Sequence, residues 1–198
     1  MKVSNTMRTL GTSTHTDHDR QVDDYYATHP IAAKLLLELE PQLQSIWECA
    51  CGAGHLAKVF DENYKLVRAT DLVDRGYGNV FDFFDENSYA GDIVTNPPFK
   101  DAQKFIEHAL DIIDTGHYAC FFLKLQFLEG KARREFYEKN PPKRIWVASG
   151  RIPCAMDGQF EVWDEKKKKN VPISSPVCYA WFIWEKGFKG KTTLGWMN

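Results

Sequence analysis

The chain has 198 residues, of which 43% are hydrophobic and 14% aromatic, and its formal net charge is −2 at pH 7. This length and composition fit one well-buried domain, because two domains would each have a small core. No run approaches the roughly 20 apolar residues that a membrane-spanning helix needs, and the polar residues 1–20 lack the apolar core of a signal peptide. We therefore expect a cytoplasmic protein that does not cross a membrane.

Hydrophobic periodicity predicts alternating helices and strands from residue 31 to residue 148. Helices are expected over residues 31–39, 54–61, 101–114 and 131–139, and strands over residues 45–49, 65–70, 79–83, 92–95, 118–125 and 144–148. Because strands and helices alternate, the sheet should be mainly parallel. Residues 149–176 read as irregular, and a last strand over residues 177–184 is apolar on both faces, which is typical of an interior strand.

A glycine-rich turn follows the first of these strands. Residues 52–57, Gly-Ala-Gly-His-Leu-Ala, fit the pattern G-x-G-x-x-G/A between a strand and a helix, and Asp71 lies at the end of the next strand. Alone, this pattern is typical of dinucleotide binding, in which the glycines admit the ligand and the carboxylate binds ribose hydroxyls. A strand-to-helix turn that binds nothing is the structural alternative.

Two further features favour S-adenosylmethionine over a nicotinamide cofactor. Glu48 precedes the glycines and places an acid near the cationic end of a ligand. The sequence Asn96-Pro97-Pro98-Phe99 follows an apolar run and offers two oxygen acceptors for one NH2 group together with a flat ring surface. These features indicate methyl transfer to a planar amino nitrogen, and an ordinary Asn-Pro turn is the alternative for the second of them.

The order of these segments carries a family resemblance. The segments are residues 25–30, residues 48–54, Asp71-Leu72, Asp82-Phe83 and residues 96–99. This order resembles the class I S-adenosylmethionine-dependent methyltransferases, and among them the N6-adenine DNA methyltransferases, especially the small solitary enzymes of phage and prophage. The resemblance covers nearly the whole chain after the polar tail and rests mainly on the N-P-P-F motif.

The resemblance implies S-adenosyl-L-methionine as cofactor and S-adenosylhomocysteine as product. Glu48 and the backbone of residues 51–54 would hold the methionine portion, Asp71 would accept from both ribose hydroxyls, and Asp82 would accept from the adenine amino group. The implied cofactor-binding residues are Tyr26, Ala27, Thr28, Pro30, Glu48, Cys49, Ala50, Cys51, Gly52, Gly54, Asp71, Leu72, Asp82, Phe83 and Asn96. For Tyr25 and Tyr26, a hydrophobic contact at the start of the following helix remains the alternative.

The implied catalytic residues are Asn96, Pro97, Pro98 and Phe99. If the side-chain oxygen of Asn96 and the main-chain oxygen of Pro97 each accept one N–H, the exocyclic nitrogen of adenine moves toward tetrahedral geometry. Its lone pair is then freed toward the sulfonium methyl group, and no strong general base is required. Phe99 would stack on the target base, which must be flipped out of duplex DNA.

We therefore expect an α/β fold with a doubly wound, mainly parallel, seven-stranded Rossmann-like methyltransferase sheet whose last strand is antiparallel. Residues 1–20 are expected to form a flexible tail and residues 21–198 a single domain, with a short target-recognition insertion at residues 149–176.

The expected partner is duplex DNA with a flipped adenine. An RNA base and a protein glutamine remain open as acceptors, and a nicotinamide-dependent oxidoreductase and a non-catalytic nucleic-acid-binding subunit remain as other classes. The sequence does not decide between a monomer and a homodimer.

Charge is divided unevenly along the chain. Residues 1–99 contain 8 Lys and Arg against 15 Asp and Glu, whereas residues 100–198 contain 17 against 12. An acidic half suits a cationic ligand and a basic half suits phosphates, although half-chains are arbitrary slices of one globule.

Individual polar and basic residues of the second half have two interpretations each. Lys124 and Gln126 either line the pocket for the target base or form hydrogen bonds with the backbone. Candidate phosphate contacts are Lys131, Arg133, Arg134, Lys143, Arg144, Arg151 and residues 166–169, with a solvated surface as the alternative.

Cysteine and histidine patterns favour no metal site. The five cysteines form no C-x-x-C pair, and the six histidines show no ligand spacing. We expect the cysteines to be small core residues in a reducing compartment, and we expect no metal ion.

Overall fold

The computed structural model describes residues 25–155 and 158–198. The helices are α1 (Ile31–Leu39), α2 (Ala57–Glu62), α3 (Ala102–Ile112) and α4 (Lys131–Lys139), and short 3-10 turns lie at Phe83–Asp85 and Leu125–Leu128. In chain order the strands are β1 (Ala27–Thr28), β2 (Ile46–Glu48), β3 (Leu66–Asp71), β4 (Asn79–Val80), β5 (Ile93–Thr95), β6 (Tyr118–Lys124), β7 (Arg144–Ala148), β8 (Cys154–Ala155), β9 (Glu161–Asp164), β10 (Lys169–Pro172), β11 (Tyr179–Glu185) and β12 (Thr193–Met197).

The central sheet has eight strands in the order β12-β7-β11-β6-β5-β2-β3-β4. All neighbours in it are parallel except β11, which is antiparallel to both β6 and β7. Two smaller antiparallel pairs lie outside this sheet, β1 with β8 and β9 with β10. The expected mainly parallel α/β fold is therefore confirmed.

Two expectations about the strands require correction. The predicted count of seven is one short, because β12 follows β11 and pairs with β7, so the antiparallel strand is not the last. Hydrophobic periodicity did not predict β12, because Gly195 interrupts its apolar pattern and its large residues Leu194 and Trp196 are exposed. Residues 149–176, expected to be irregular, contain β8, β9 and β10. The lysine-rich turn between β9 and β10 has low strand propensity and masked that hairpin.

Part of the domain prediction lies outside the described residues. The expected tail, residues 1–20, belongs to this part of the chain, and the proposed boundary at residue 21 lies there as well. The single domain over residues 21–198 therefore stays a prediction.

Two apolar cores cover the two faces of the sheet. The side chains of β11 alternate between them: Tyr179, Trp181 and Ile183 pack with α1 and α2, whereas Ala180, Phe182 and Trp184 pack with α3 and α4. This alternation follows from the two-residue period of a strand. Helices on both faces leave the ends of the strands uncovered, which is where ligands bind in open α/β sheets.

A buried ion pair fastens α1 to β7. Glu40, at the C-terminal end of α1, is fully buried and accepts bonds from Nε and Nη2 of Arg144. Trp146 Nε1 and Gln42 Nε2 also donate to its two oxygens, at 2.7 and 2.5 Å. Both carboxylate oxygens are thus satisfied by several donors, as a buried charge requires.

We expect Glu40→Gln to lower the free energy of unfolding by about 2 to 3 kcal/mol, because the Arg144 charge would lose its partner. This loss is smaller than the roughly 3 to 5 kcal/mol that is typical when a fully buried ion pair is broken, because the Arg144 side chain is 24% exposed. Urea unfolding measures it. Glu135→Gln breaks the exposed pair with Lys139 and serves as the control. Equal urea midpoints for wild type and Glu40→Gln would contradict the stabilising role of the Glu40–Arg144 ion pair.

Candidate active site

A cavity of about 270 Å³ lies at the carboxyl ends of β2, β3 and β5. Parallel neighbouring strands end at the same edge of a sheet, so the residues that follow them converge there. The lining includes all four residues of the N-P-P-F motif and every implied cofactor residue except Pro30, Gly52 and Gly54. Pro30 instead lies at the N-terminal cap of α1, where its carbonyl oxygen accepts from the amides of Ala33 and Lys34.

The glycine turn is covered by an aromatic ring rather than open to the cavity. Gly52 has a φ of +54°, and a Cβ there would lie 2.1 Å from the Tyr25 ring, so a larger residue would clash and be strained. The Ala53 amide donates to the Tyr25 hydroxyl at 3.1 Å. Tyr25 is therefore a wall of the cavity that sequence reasoning did not place in the site; its position next to Tyr26 was the available signal.

Asp71 is held firmly at the end of β3. Its Oδ2 accepts from the Gly52 amide at 2.8 Å and its Oδ1 from the Val73 amide at 3.0 Å. The guanidinium of Arg75 lies near this carboxylate and 4.3 Å from the centre of the Tyr25 ring. A carboxylate has about four lone-pair sites, so Asp71 can accept further hydrogen bonds in this orientation.

Glu48, the last residue of β2, presents an unpaired oxygen in the cavity. It is only 2% exposed, and its Oε2 has no hydrogen-bond partner among the described residues. Burial raises the pKa of this carboxyl well above its usual range, and an amide hydrogen bond from Ala57 opposes that change only in part. Such an oxygen suits a ligand that brings a cationic donor.

Asn96, immediately after β5, presents a second unpaired oxygen. Its Nδ2 donates to Thr28 Oγ1 at 2.8 Å and to the Tyr26 carbonyl at 3.3 Å. Its Oδ1 is buried and has no partner in the described part of the chain. The amide nitrogen therefore bonds to residues 25–30, called the N-terminal segment below, and the oxygen is the polar atom that remains for a ligand.

Phe99 is half-buried and lies between aromatic and cationic neighbours. Its ring stacks on Tyr26 at a centroid distance of 5.7 Å, and Lys124 Nζ lies 4.0 Å from its centre. Lys124 thus lies beside Phe99, a lining residue of the cavity, and is not itself among the lining residues. Gln126 is exposed in the second 3-10 turn, and its carbonyl oxygen accepts from Arg133.

The remaining implied residues form the wall near the first 3-10 turn. Asp82 caps this turn by accepting from the Phe84 amide at 3.0 Å. Phe83 is 2% exposed, and its ring stacks on Phe105, so only part of it reaches the cavity. Phe84 lines the same wall and is 42% exposed. Sequence reasoning did not single it out because the motif match ended at Phe83.

Several basic residues contact other parts of the chain. Arg134 pairs with Glu138, Lys143 with Glu185 and Arg144 with Glu40. Arg133 and Arg151 donate to main-chain oxygens. The four lysines at residues 166–169 are exposed.

The described residues contain no cluster of three His, Cys, Asp or Glu that could hold a metal ion. None of their helices combines the length and the apolarity needed to cross a membrane.

Comparison with solved structures identifies the fold. A Listeria monocytogenes protein provisionally described as a class I S-adenosylmethionine-dependent methyltransferase has a TM-score of 0.56 at 16% identity, with 90% of this chain and 68% of that chain covered. A Pyrococcus horikoshii protein provisionally described as an RNA methyltransferase gives 0.55 at 17% identity, over 90% and 95% of the two chains. The fold is that of the class I methyltransferases.

A third neighbour shows how widely this methyltransferase fold is used. The S-adenosylmethionine-dependent O-methyltransferase of Thermotoga maritima has a TM-score of 0.52 at 11% identity, with 82% of this chain and 67% of that chain covered. One fold therefore serves different acceptors, and the acceptor has to be argued from the site. No protein-family model and no curated protein sequence matches the chain.

We expect Glu48→Gln to be more stable than wild type at pH 8 and similar near pH 5. A carboxyl whose folded-state pKa is raised binds more protons folded than unfolded, so wild-type stability falls as pH rises from the ordinary pKa toward the raised one. Glutamine keeps the shape without this dependence. Urea unfolding at both pH values measures the effect, and a stability difference that does not change with pH would contradict it.

Proposed function

We propose that this chain transfers a methyl group from S-adenosylmethionine to the exocyclic N6 of adenine in DNA. The observation that carries the proposal is the pair of unpaired, buried oxygens, Glu48 Oε2 and Asn96 Oδ1, in one cavity. They lie at the ends of neighbouring parallel strands, since Trp47 of β2 pairs with Ile93 of β5. One oxygen suits a cationic amino group and the other suits the NH2 group of an acceptor.

The polar groups of the cavity match the polar groups of S-adenosylmethionine. Glu48 would hold its ammonium group, Asp71 its ribose hydroxyls and Asp82 the amino group of its adenine. Both Glu48 and Asp71 are fixed by neighbouring backbone amides. The bound cofactor would supply an electrophilic sulfonium methyl group. The fit is supported by the donor-seeking oxygen of Glu48, which no described residue satisfies.

Asn96 and Pro97 would prepare the acceptor nitrogen. The Asn96 Oδ1 and the Pro97 main-chain oxygen would each accept one N–H, which localises the nitrogen lone pair. The neighbouring Pro98 carbonyl accepts from the Asp101 amide at 3.1 Å, so that carbonyl holds the turn instead. Prolines at these positions fix the backbone and bring no N–H donor among the acceptors. Tyr26, Phe99 and Lys124 form the adjacent surface for a planar ring.

DNA is the acceptor best supported by the motif order and by the surface charge. The N-P-P-F motif follows the cofactor motifs in the order of the N6-adenine enzymes that the sequence resembles. Exposed lysines at residues 166–169 and the 57% exposed Trp163 lie on the β9–β10 hairpin within residues 149–176, the proposed target-recognition insertion. Such a combination suits phosphates and bases. An RNA base or a protein glutamine is the second candidate, because each also offers a planar NH2 group.

The acceptor is identified by incubating the protein with methyl-labelled S-adenosylmethionine and, separately, duplex DNA, single-stranded DNA, RNA or protein extract. We expect label in DNA, N6-methyladenine after enzymatic digestion, and an affinity for DNA that falls steeply with salt as counterions are released. Label in RNA or protein alone would reject the DNA assignment and keep methyl transfer. Calorimetric binding of NAD without binding of S-adenosylhomocysteine would reject both.

We expect Asn96→Ala to lower the single-turnover rate by about 100-fold or more, the usual effect of removing one preorganised hydrogen-bonding group. Its affinity for S-adenosylhomocysteine should change much less, since the amide oxygen is proposed to act on the acceptor. Asn63→Ala, at an exposed asparagine that does not line the cavity, is the matched control. A near-normal rate in Asn96→Ala would remove the proposed mechanism.

A further inference from the structure

Both N–H groups of the Asn96 amide have acceptors in the N-terminal segment. Thr28 Oγ1 lies 2.8 Å and the Tyr26 carbonyl oxygen 3.3 Å from Nδ2. A main-chain carbonyl can only accept, whereas a hydroxyl can donate or accept. If the amide were rotated, Oδ1 would face the Tyr26 oxygen without a proton between them. The Tyr26 carbonyl therefore selects the orientation of the amide, and Thr28 provides its shorter hydrogen bond.

Thr28 is itself fixed by a buried sulfur contact. It is 3% exposed, and its Oγ1 lies 3.8 Å from Cys154 Sγ. β1 pairs with β8 in a register that places Thr28 opposite Cys154. Burial raises the pKa of the Cys154 thiol to about 12, and the Tyr179 hydroxyl also bonds to this sulfur. The thiol keeps its proton at neutral pH, so no charge competes for the Thr28 hydroxyl.

We infer that Thr28 is a positioning residue: its hydroxyl holds the Asn96 amide so that Oδ1 faces the acceptor, and its effect on methyl transfer does not come from contact with the cofactor. The catalytic consequence rests on the proposed function. The geometry also links the proposed target-recognition segment to Asn96, because β8 belongs to residues 149–176 and Cys154 Sγ lies 3.9 Å from Asn96 Nδ2.

Three variants separate positioning from cofactor binding. Thr28→Val keeps the shape and removes the hydroxyl, and Thr28→Ser restores the hydroxyl. Thr95→Val is the matched control, because Thr95 precedes Asn96, is fully buried, and its Oγ1 has no partner among the described residues. We expect Thr28→Val to lower the single-turnover rate about tenfold, the effect of one hydrogen bond, with Thr28→Ser and Thr95→Val within about threefold of wild type.

Two further measurements accompany the rates. Thr28 is among the residues that the family resemblance assigns to cofactor binding, whereas the inference gives its hydroxyl no cofactor contact. Calorimetry with S-adenosylhomocysteine should therefore give affinities within about threefold of wild type in all three variants. In the ligand-free protein, the Asn96 side-chain amide signal is assigned by its absence in Asn96→Ala. Its protons should exchange with solvent about tenfold faster in Thr28→Val and at the wild-type rate in Thr95→Val, as loss of one hydrogen bond predicts.

The outcomes distinguish this inference from the proposed function. If wild type transfers no methyl group to any acceptor, the proposed function fails and the amide exchange still decides the role of Thr28. Unchanged exchange in Thr28→Val would overturn the inference, and so would a parallel loss of rate and S-adenosylhomocysteine affinity. If Thr28→Val does not fold, Thr28→Ala, which adds no methyl group against the Cys154 thiol, takes its place in every measurement.

Discussion

The architecture depends on one interior strand that is apolar on both faces. β11 pairs with β6 along its whole length and with β7 on its other side, and its alternating side chains belong to both cores. It also reaches the site, since Tyr179 stacks on Phe122 and lies 6.3 Å from the centre of Phe99. The same strand that joins the cores therefore supports the surface proposed for the target base.

Strand direction concentrates chemistry at one edge of this sheet. Glu48, Asp71 and Asn96 end or follow β2, β3 and β5, which run parallel, and Lys124 ends β6 beside them. Helices cover the faces, so this edge is where polar side chains can meet a ligand without burial in an apolar core. The N-terminal segment closes the site from outside: Tyr25 covers the glycine turn, and β1 pairs with β8 instead of joining the main sheet.

The sequence predicted what local patterns encode. The alternation of apolar runs located the seven strands from β2 to β7 and β11. The motif order included the four N-P-P-F residues and most of the other implied residues that line the cavity, but it missed Tyr25 and Phe84. The β9–β10 hairpin and β12 escaped prediction because their signals are diluted by lysines, a glycine and exposed aromatic residues. Tyr25 over Gly52 and Thr28 beside Cys154 escaped for a different reason. These contacts join residues far apart in the chain, and no single-sequence pattern reports such a pairing.

The two unpaired oxygens of the cavity, Glu48 Oε2 and Asn96 Oδ1, indicate where this fold gives up stability; the unpaired Thr95 Oγ1 belongs to a residue that does not line the cavity. A buried acceptor without a donor is unfavourable by about 1 to 3 kcal/mol, more when it is charged, and native proteins contain few of them. Elsewhere the chain satisfies even a buried carboxylate, as the four donors around Glu40 show. The other polar atoms of these two side chains do have partners: the Ala57 amide donates to the Glu48 carboxyl group, and Asn96 Nδ2 donates to Thr28 Oγ1. Because both oxygens lie on residues that line one cavity, a ligand that brings its own donors best explains why they lack partners.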